Sequence, residues 1–128
     1  AVLAAKGFLS PGQLENWGRF DSTLGYHPDG VLIPGVEIGT GSLGHGLGIG
    51  VGMMMGLRLH NQDKPRVFCL MGDAELDEGS NHEAIAVAAR FGLDRLTTIV
   101  IDNSSSSLHH MAGRAESPRG SNLRVGHR

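Results

Sequence analysis

Two oxygen-bearing side chains stand at the ends of two short apolar runs. Asp73 follows a run from Arg66 to Met71, bounded by Pro65 and Gly72, and Asn103 follows Thr97 to Asp102. Runs of this length and composition predict buried strands. Between them, Ser80-Asn81-His82-Glu83 has the form of a capping box, with Ser80 at N-cap and Glu83 at N3. It predicts a helix with Ala84, Ile85, Ala88 and Ala89 on one side and Gly92 past its end. Strand, helix, strand implies a parallel pair, and ligands of open α/β sheets bind beyond the carboxyl ends of such strands. Asp73 and Asn103 then face one crevice. Their oxygens suit a hard cation such as Mg²⁺, which takes one or two protein ligands and completes its shell with phosphate and water, so a phosphorylated cofactor is implied. Taken alone, the pair also fits ordinary turn chemistry.

Glycine is the second concentration: 20 of 128 residues, roughly twice the usual share, with nine between Gly35 and Gly56. Thr40-Gly41-Ser42-Leu43-Gly44 leads into a helical pattern from Leu43 to His60, which predicts free N–H groups and two hydroxyls placed to meet an anion. Gly39 to Gly44 also fits G-x-G-x-x-G. The dinucleotide fingerprint has to follow a strand, however, and Pro34-Gly35-Val36-Glu37 stands there instead. Gly44, Gly48, Gly52 and Gly56 recur every fourth residue, predicting a smooth helix stripe for close approach of a backbone or ligand, with Gly52 and Gly56 serving tight helix packing.

Other elements must position these residues. Ala1 to Lys6 reads as the end of a helix closed by Gly7. Ser10-Pro11-Gly12-Gln13 reads as a capping box opening a helix to about Phe20. Residues 21–42, rich in proline and glycine, form a long irregular segment of the kind that often carries function. Four serines follow Asn103, and residues 104–128 read as loop or disorder. Charge divides the same way. Residues 1–103 hold seven Lys and Arg against twelve Asp and Glu, and residues 104–128 hold four against one.

Composition excludes several classes. A formal charge of −2 gives no electrostatic case for nucleic acid or an anionic membrane. The longest apolar stretch, Leu43 to Leu59, is interrupted by His45 and glycines and is short of the ~20 residues of a membrane span. With Cys69 as the one cysteine, no internal disulfide forms, and a cytoplasmic setting is expected. The N-terminus lacks the order of a signal peptide. Met53-Met54-Met55 reads as core filler, and His45, His60 and His82 as structural or exposed.

Four segments in order, GYHPD at 25–29, PGVEIGTGSLGHGLGIGVGM at 34–53, GDAELDEGSNHEA at 72–84 and IDN at 101–103, together resemble the transketolase family, most nearly its thiamine-diphosphate-binding N-terminal domain or subunit. The resemblance covers roughly residues 1–103. It implies a partial α/β thiamine-diphosphate-binding fold, a parallel sheet with flanking helices, truncated at both ends and followed by an irregular tail over 104–128. It also implies transfer of a two-carbon ketol unit between sugar phosphates, with thiamine diphosphate and Mg²⁺ as cofactors. On this reading Asp73, Asn103 and the backbone carbonyl of Ser105 hold the metal. Gly72 and Ala74 flank the aspartate beside the diphosphate, and Gly41, Ser42 and Leu43 line the thiamine. His27 lies near the thiazolium and the donor hydroxyls as the catalytic histidine. Glu78 and Glu83 meet a complementary pyrimidine-binding domain or subunit in a homo- or hetero-oligomer.

Each assignment has a plainer rival. His27 before Pro28 fits a surface loop, Glu83 fits the N3 position of a cap, and Glu78 fits a solvated acidic run. Ala74 replaces the family's second glycine, and its methyl is expected to crowd a diphosphate and to demand an ordinary backbone conformation; His82 stands where relatives have tryptophan. The alternatives are an inactive or partner-binding module of the same fold, and a nucleotide-binding domain using Gly39 to Gly44. Alone, the chain is expected to leave apolar surface uncovered and to turn over no sugar.

Overall fold

The two apolar runs pair as expected. Strand β1, Val67–Gly72, lies parallel to β2, Leu96–Ile101, with Val67 opposite Leu96 and Gly72 opposite Ile101, in the computed structural model, which describes residues 1–103. Helix α1 spans Val2–Ala5, α2 Pro11–Leu14 and α3 Gly46–Leu59. A 3-10 turn, Ala74–Asp77, and helix α4, Gly79–Arg90, connect the strands. The result is an α/β unit with a small parallel sheet and flanking helices.

One face of the sheet builds the core. Val67, Cys69 and Met71 alternate along β1 and pack with Leu47, Val51 and Met54 of α3, Ala84 of α4, and Leu93. Fully burying such a side chain contributes about 1.5–3 kcal/mol, so this cluster is the main source of cohesion. The other face differs from expectation. Phe68 and Leu70 are 63% and 60% exposed, and Ile99 and Ile101 beside them are also exposed. The run is apolar on both faces, but among the described residues both long helices sit on one side.

The glycine stripe is corrected as well. Helix α3 begins two residues after Gly44, and its buried face is Leu47, Gly50, Val51 and Met54, spaced i, i+3, i+4 and i+7. Close approach occurs at Gly50, where an added Cβ stands 3.3 Å from Leu96 Cδ1 and 3.6 Å from Val67 Cγ1. At Gly48, Gly52 and Gly56 it meets nothing within 4 Å, so Gly52 and Gly56 do not serve tight packing. Large core side chains at the other positions fix the helix rotation, and Gly48, Gly52 and Gly56 face away.

Helix α4 buries Asn81 and Ala84 and packs Ala88 on the core, while Ile85 and Ala89 are exposed. Its expected capping box is not formed: Glu78 is the N-cap, and Ser80 bonds elsewhere. The box at Ser10 does form, with Ser10 N–H donating to Gln13 Oε1 at 2.8 Å. Helix α2 nonetheless ends at Leu14 and not near Phe20. The chain tightens into i to i+3 bonds through Trp17 and turns at Gly18, whose N–H donates to Leu24 C=O.

Residues 21–42 form no helix or strand, yet they are anchored. Leu9, Leu24 and Ile33 make a second buried cluster, and Asp29 accepts from Val31 N–H at 2.7 Å. Among the described residues no helix is long and apolar enough to cross a membrane.

Candidate functional site

The parallel register brings the two strand ends together. Asp73 N–H donates to Ile101 C=O at 3.1 Å, which fixes the aspartate beside the residues leading to Asp102 and Asn103. Asp73 also caps the 3-10 turn in right-handed helical backbone, and its carbonyl accepts from Leu76 N–H. Ala74 begins that turn. Asn61 is the non-glycine residue with positive φ among the described residues, so alanine at this position adopts its ordinary conformation without strain. An added Cβ at Gly72 meets nothing within 4 Å, leaving open space at the strand end.

The donor chemistry at this edge fits a hard cation that arrives with phosphate. No group of three or more His, Cys, Asp or Glu converges among the described residues, as a closed metal site would require. Carboxylate and amide oxygens are what Mg²⁺ takes when phosphate and water supply the remainder. Ser105, the third expected ligand, lies outside the described residues, as does the tail over 104–128.

The glycine-rich loop is held against this edge by Gly44. Its N–H donates to a Glu75 carboxylate oxygen at 3.0 Å, and its C=O accepts from Ser80 Oγ at 2.8 Å. Gly44 has φ +80°, and an added Cβ would stand 2.5 Å from Glu78 Cβ and 2.8 Å from Ser80 Oγ. Only glycine fits both the backbone and the space. Of the N–H groups expected to be free for an anion over Thr40–Gly44, that of Gly44 is therefore already taken by a carboxylate of the chain itself. Below the clasp, the fully buried Asn81 donates from Nδ2 to the Glu75 backbone carbonyl, while its Oδ1 is buried without a hydrogen-bond partner.

The same loop reaches His27. Thr40 N–H donates to Pro28 C=O at 3.1 Å, and Gly41 has φ +132° with its Cα face against the imidazole, where an added Cβ would be 3.2 Å from His27 Cγ. His27 lines a cavity of about 530 Å³ with Pro28, Asp29, Glu37, Gly39 and Thr40. A contiguous path therefore runs from His27 through Gly41 and Gly44 to Glu75, two residues beyond Asp73. Between these fixed points Ser42 and Leu43 are exposed, and the Ser42 hydroxyl and His45 Nδ1 lie 3.1 Å apart.

The remaining candidates separate. Glu78 is half-buried and packs against Gly44, so it is not simply a solvated acid, whereas Glu83 is exposed and has no capping role. Sequence reasoning missed Glu75, Ser80 and Asn81 as parts of the site. Ser80 was legible as a hydroxyl at a helix start, but its partner is 36 residues away in sequence. Cys69 is no nucleophile here: burial, and then the negative charge of Glu75, push its thiol pKa up, which keeps it protonated. A larger depression of about 710 Å³, near His60, Arg66 and Phe68, lies at the opposite end of β1.

A parallel strand pair joined by a helix, with Asp73 at the carboxyl end of β1 and a glycine loop bonded to the turn that follows it, defines an α/β class of domain. Residues 2–113 match the family model described as transketolase, thiamine diphosphate binding domain, and the chain belongs to that family. It is 57% identical over 108 residues to a Rhodococcoides fascians protein named ferredoxin fas2, covering 84% of this chain and 36% of that protein. It is 43% identical over 102 residues to one of the named subunits of apulose-4-phosphate transketolase from Phocaeicola vulgatus, covering 80% and 36%. It is 41% identical over 103 residues to human transketolase, covering 78% and 16%. The chain thus spans about a third or less of the length of these relatives. Its single cysteine does not make the thiolate set of an iron–sulfur cluster, so the match to the first relative does not rest on such a centre.

Gly44→Ala should destabilise the fold by about 2 kcal/mol or more, from the left-handed backbone and the overpacking against Glu78. Denaturant unfolding checks this, and Gly52→Ala, into open space in mid-helix, should be neutral or stabilising.

Proposed function

We propose that this chain is the diphosphate- and Mg²⁺-binding part of a transketolase-type enzyme, which moves a two-carbon ketol unit from a ketose phosphate to an aldose phosphate. The observation that carries this reading is the Gly44 clasp, which joins the glycine loop to the turn bearing Asp73. Asp73 and Asn103 hold Mg²⁺ with the Ser105 carbonyl, Gly72 gives the diphosphate its room, and Ala74 flanks it. Gly41, Ser42 and Leu43 lie along the thiamine. Bound thiamine diphosphate supplies the electron sink that allows a carbon–carbon bond next to a carbonyl to break. His27, held against Gly41, hydrogen-bonds the donor hydroxyls and steers the ketol unit.

The reading requires a complementary domain. Relatives named as one subunit of a transketolase support a second, partner chain, and the exposed Phe68, Leu70, Ile99 and Ile101 support cover by further structure in the assembled enzyme. Glu78 and Glu83 are the interface acids of this reading, residues 1–103 the domain part with 104–128 as a separate tail, and the cytoplasm its setting. A nucleotide-binding domain is disfavoured, since no strand precedes Gly39 to Gly44 among the described residues.

In the assembled protein, thiamine diphosphate and Mg²⁺ should bind together, and Asp73→Ala should remove the metal dependence measured by titration with and without chelator. Equal affinity in both conditions for both proteins would sink the metal assignment. His27→Ala should lower turnover or raise the donor KM while leaving thiamine diphosphate affinity nearly unchanged, and unaltered steady-state kinetics would return His27 to a surface role.

A further inference from the structure

We infer that Glu75 and Ser80 are positioning residues that hold the Gly41–Leu43 loop in its ligand-ready shape, an inference that rests on the reading of that loop and the Asp73 turn as the cofactor site. Both backbone polar groups of Gly44 are taken by side chains distant in sequence, the N–H by Glu75 and the C=O by Ser80. Glu75 is itself fixed. It lies in the 3-10 turn capped by Asp73, and its carbonyl accepts from the buried Asn81 amide. One short turn therefore presents Asp73 to the strand ends and Glu75 to the loop.

The loop has two fixed points. Gly41 rests on the His27 ring, and Gly44 sits in the clasp; between them Ser42 and Leu43 are exposed, and the contacts of the His45 ring with the Ser42 hydroxyl and the Leu43 carbonyl stay within the loop. Releasing Gly44 frees residues 41–43 to sample other backbone states, and a ligand then has to reorder them on binding. The carboxylate acts as a hydrogen-bond acceptor in this role, so an uncharged acceptor of the same shape should replace it.

The test uses the full-length protein in its assembled form, with two readouts. In the ligand-free protein, Glu75→Ala and Ser80→Ala should speed amide hydrogen exchange at Gly41–Gly44 while the amides of Leu47–Met54 stay protected. Titration with thiamine diphosphate and Mg²⁺ should show Kd raised about tenfold in Glu75→Ala, the loss of one charge-assisted hydrogen bond, with Glu75→Gln restored to near the wild-type value. A Glu75→Ala protein with wild-type exchange and wild-type Kd overturns the inference, as does a Glu75→Gln protein as impaired as Glu75→Ala. If the wild type binds no thiamine diphosphate but Glu75→Ala still speeds exchange at Gly41–Gly44, the cofactor reading fails while the holding of the loop stands. A fall in thermal stability with unchanged exchange and Kd marks a purely structural bond and also overturns it.

Discussion

Gly44 is the residue on which the candidate site depends. It joins the glycine loop to the 3-10 turn after β1 and to the first turn of α4 through hydrogen bonds, and each of its two polar groups is satisfied by a side chain. A buried backbone N–H or C=O left unpaired costs about 1–3 kcal/mol, so the arrangement is held from both sides. The left-handed backbone at Gly44 turns the chain into α3 two residues later, and the large side chains of Leu47, Val51 and Met54 then set which face of α3 meets the sheet.

The sheet presents a different balance. Val67, Cys69 and Met71 bury one face under α3 and α4, while Phe68 and Leu70 leave the other in solvent. A parallel pair of strands normally has both faces covered, and the apolar composition of both faces here has that character. The carboxyl-end edge is nonetheless complete in its backbone bonds, because Asp73 N–H extends the ladder by one residue to Ile101. The site's scaffold therefore depends on the register of the strands and on the covered face more than on the open one.

Local signals were legible and partnerships were not. The two strands, the helix between them and the placing of Asp73 beside the end of β2 follow from apolar runs and connection rules, which depend on neighbours in sequence. Gly7 closing α1 and the Ser10 box followed for the same reason. The misreadings share another cause. Ser80 has the chemistry of a cap but bonds Gly44, 36 residues distant; Gly48, Gly52 and Gly56 look like part of a packing stripe but face open space; and the Thr40–Gly44 segment looks open to an anion, but its Gly44 N–H is taken by Glu75. In each case a tertiary partner outcompeted the local reading, and the partner's identity is not encoded in spacing. His27 stands out by motif alone, and spacing does not reveal that its ring lies against Gly41.

On the proposed reading, cation and diphosphate meet at the carboxyl ends of β1 and β2 beside the Gly41–Gly44 loop. Replacing Mg²⁺ by Mn²⁺ in the assembled protein with thiamine diphosphate, and recording paramagnetic broadening of backbone amides, tests it most directly. Because such broadening falls steeply with distance, the account predicts the strongest loss at Gly72–Ala74 and Asp102–Asn103, a clear effect at Gly41–Gly44, and the weakest at Val67 and Leu59. Broadening centred on the amino end of β1, or spread evenly over the chain, would contradict it.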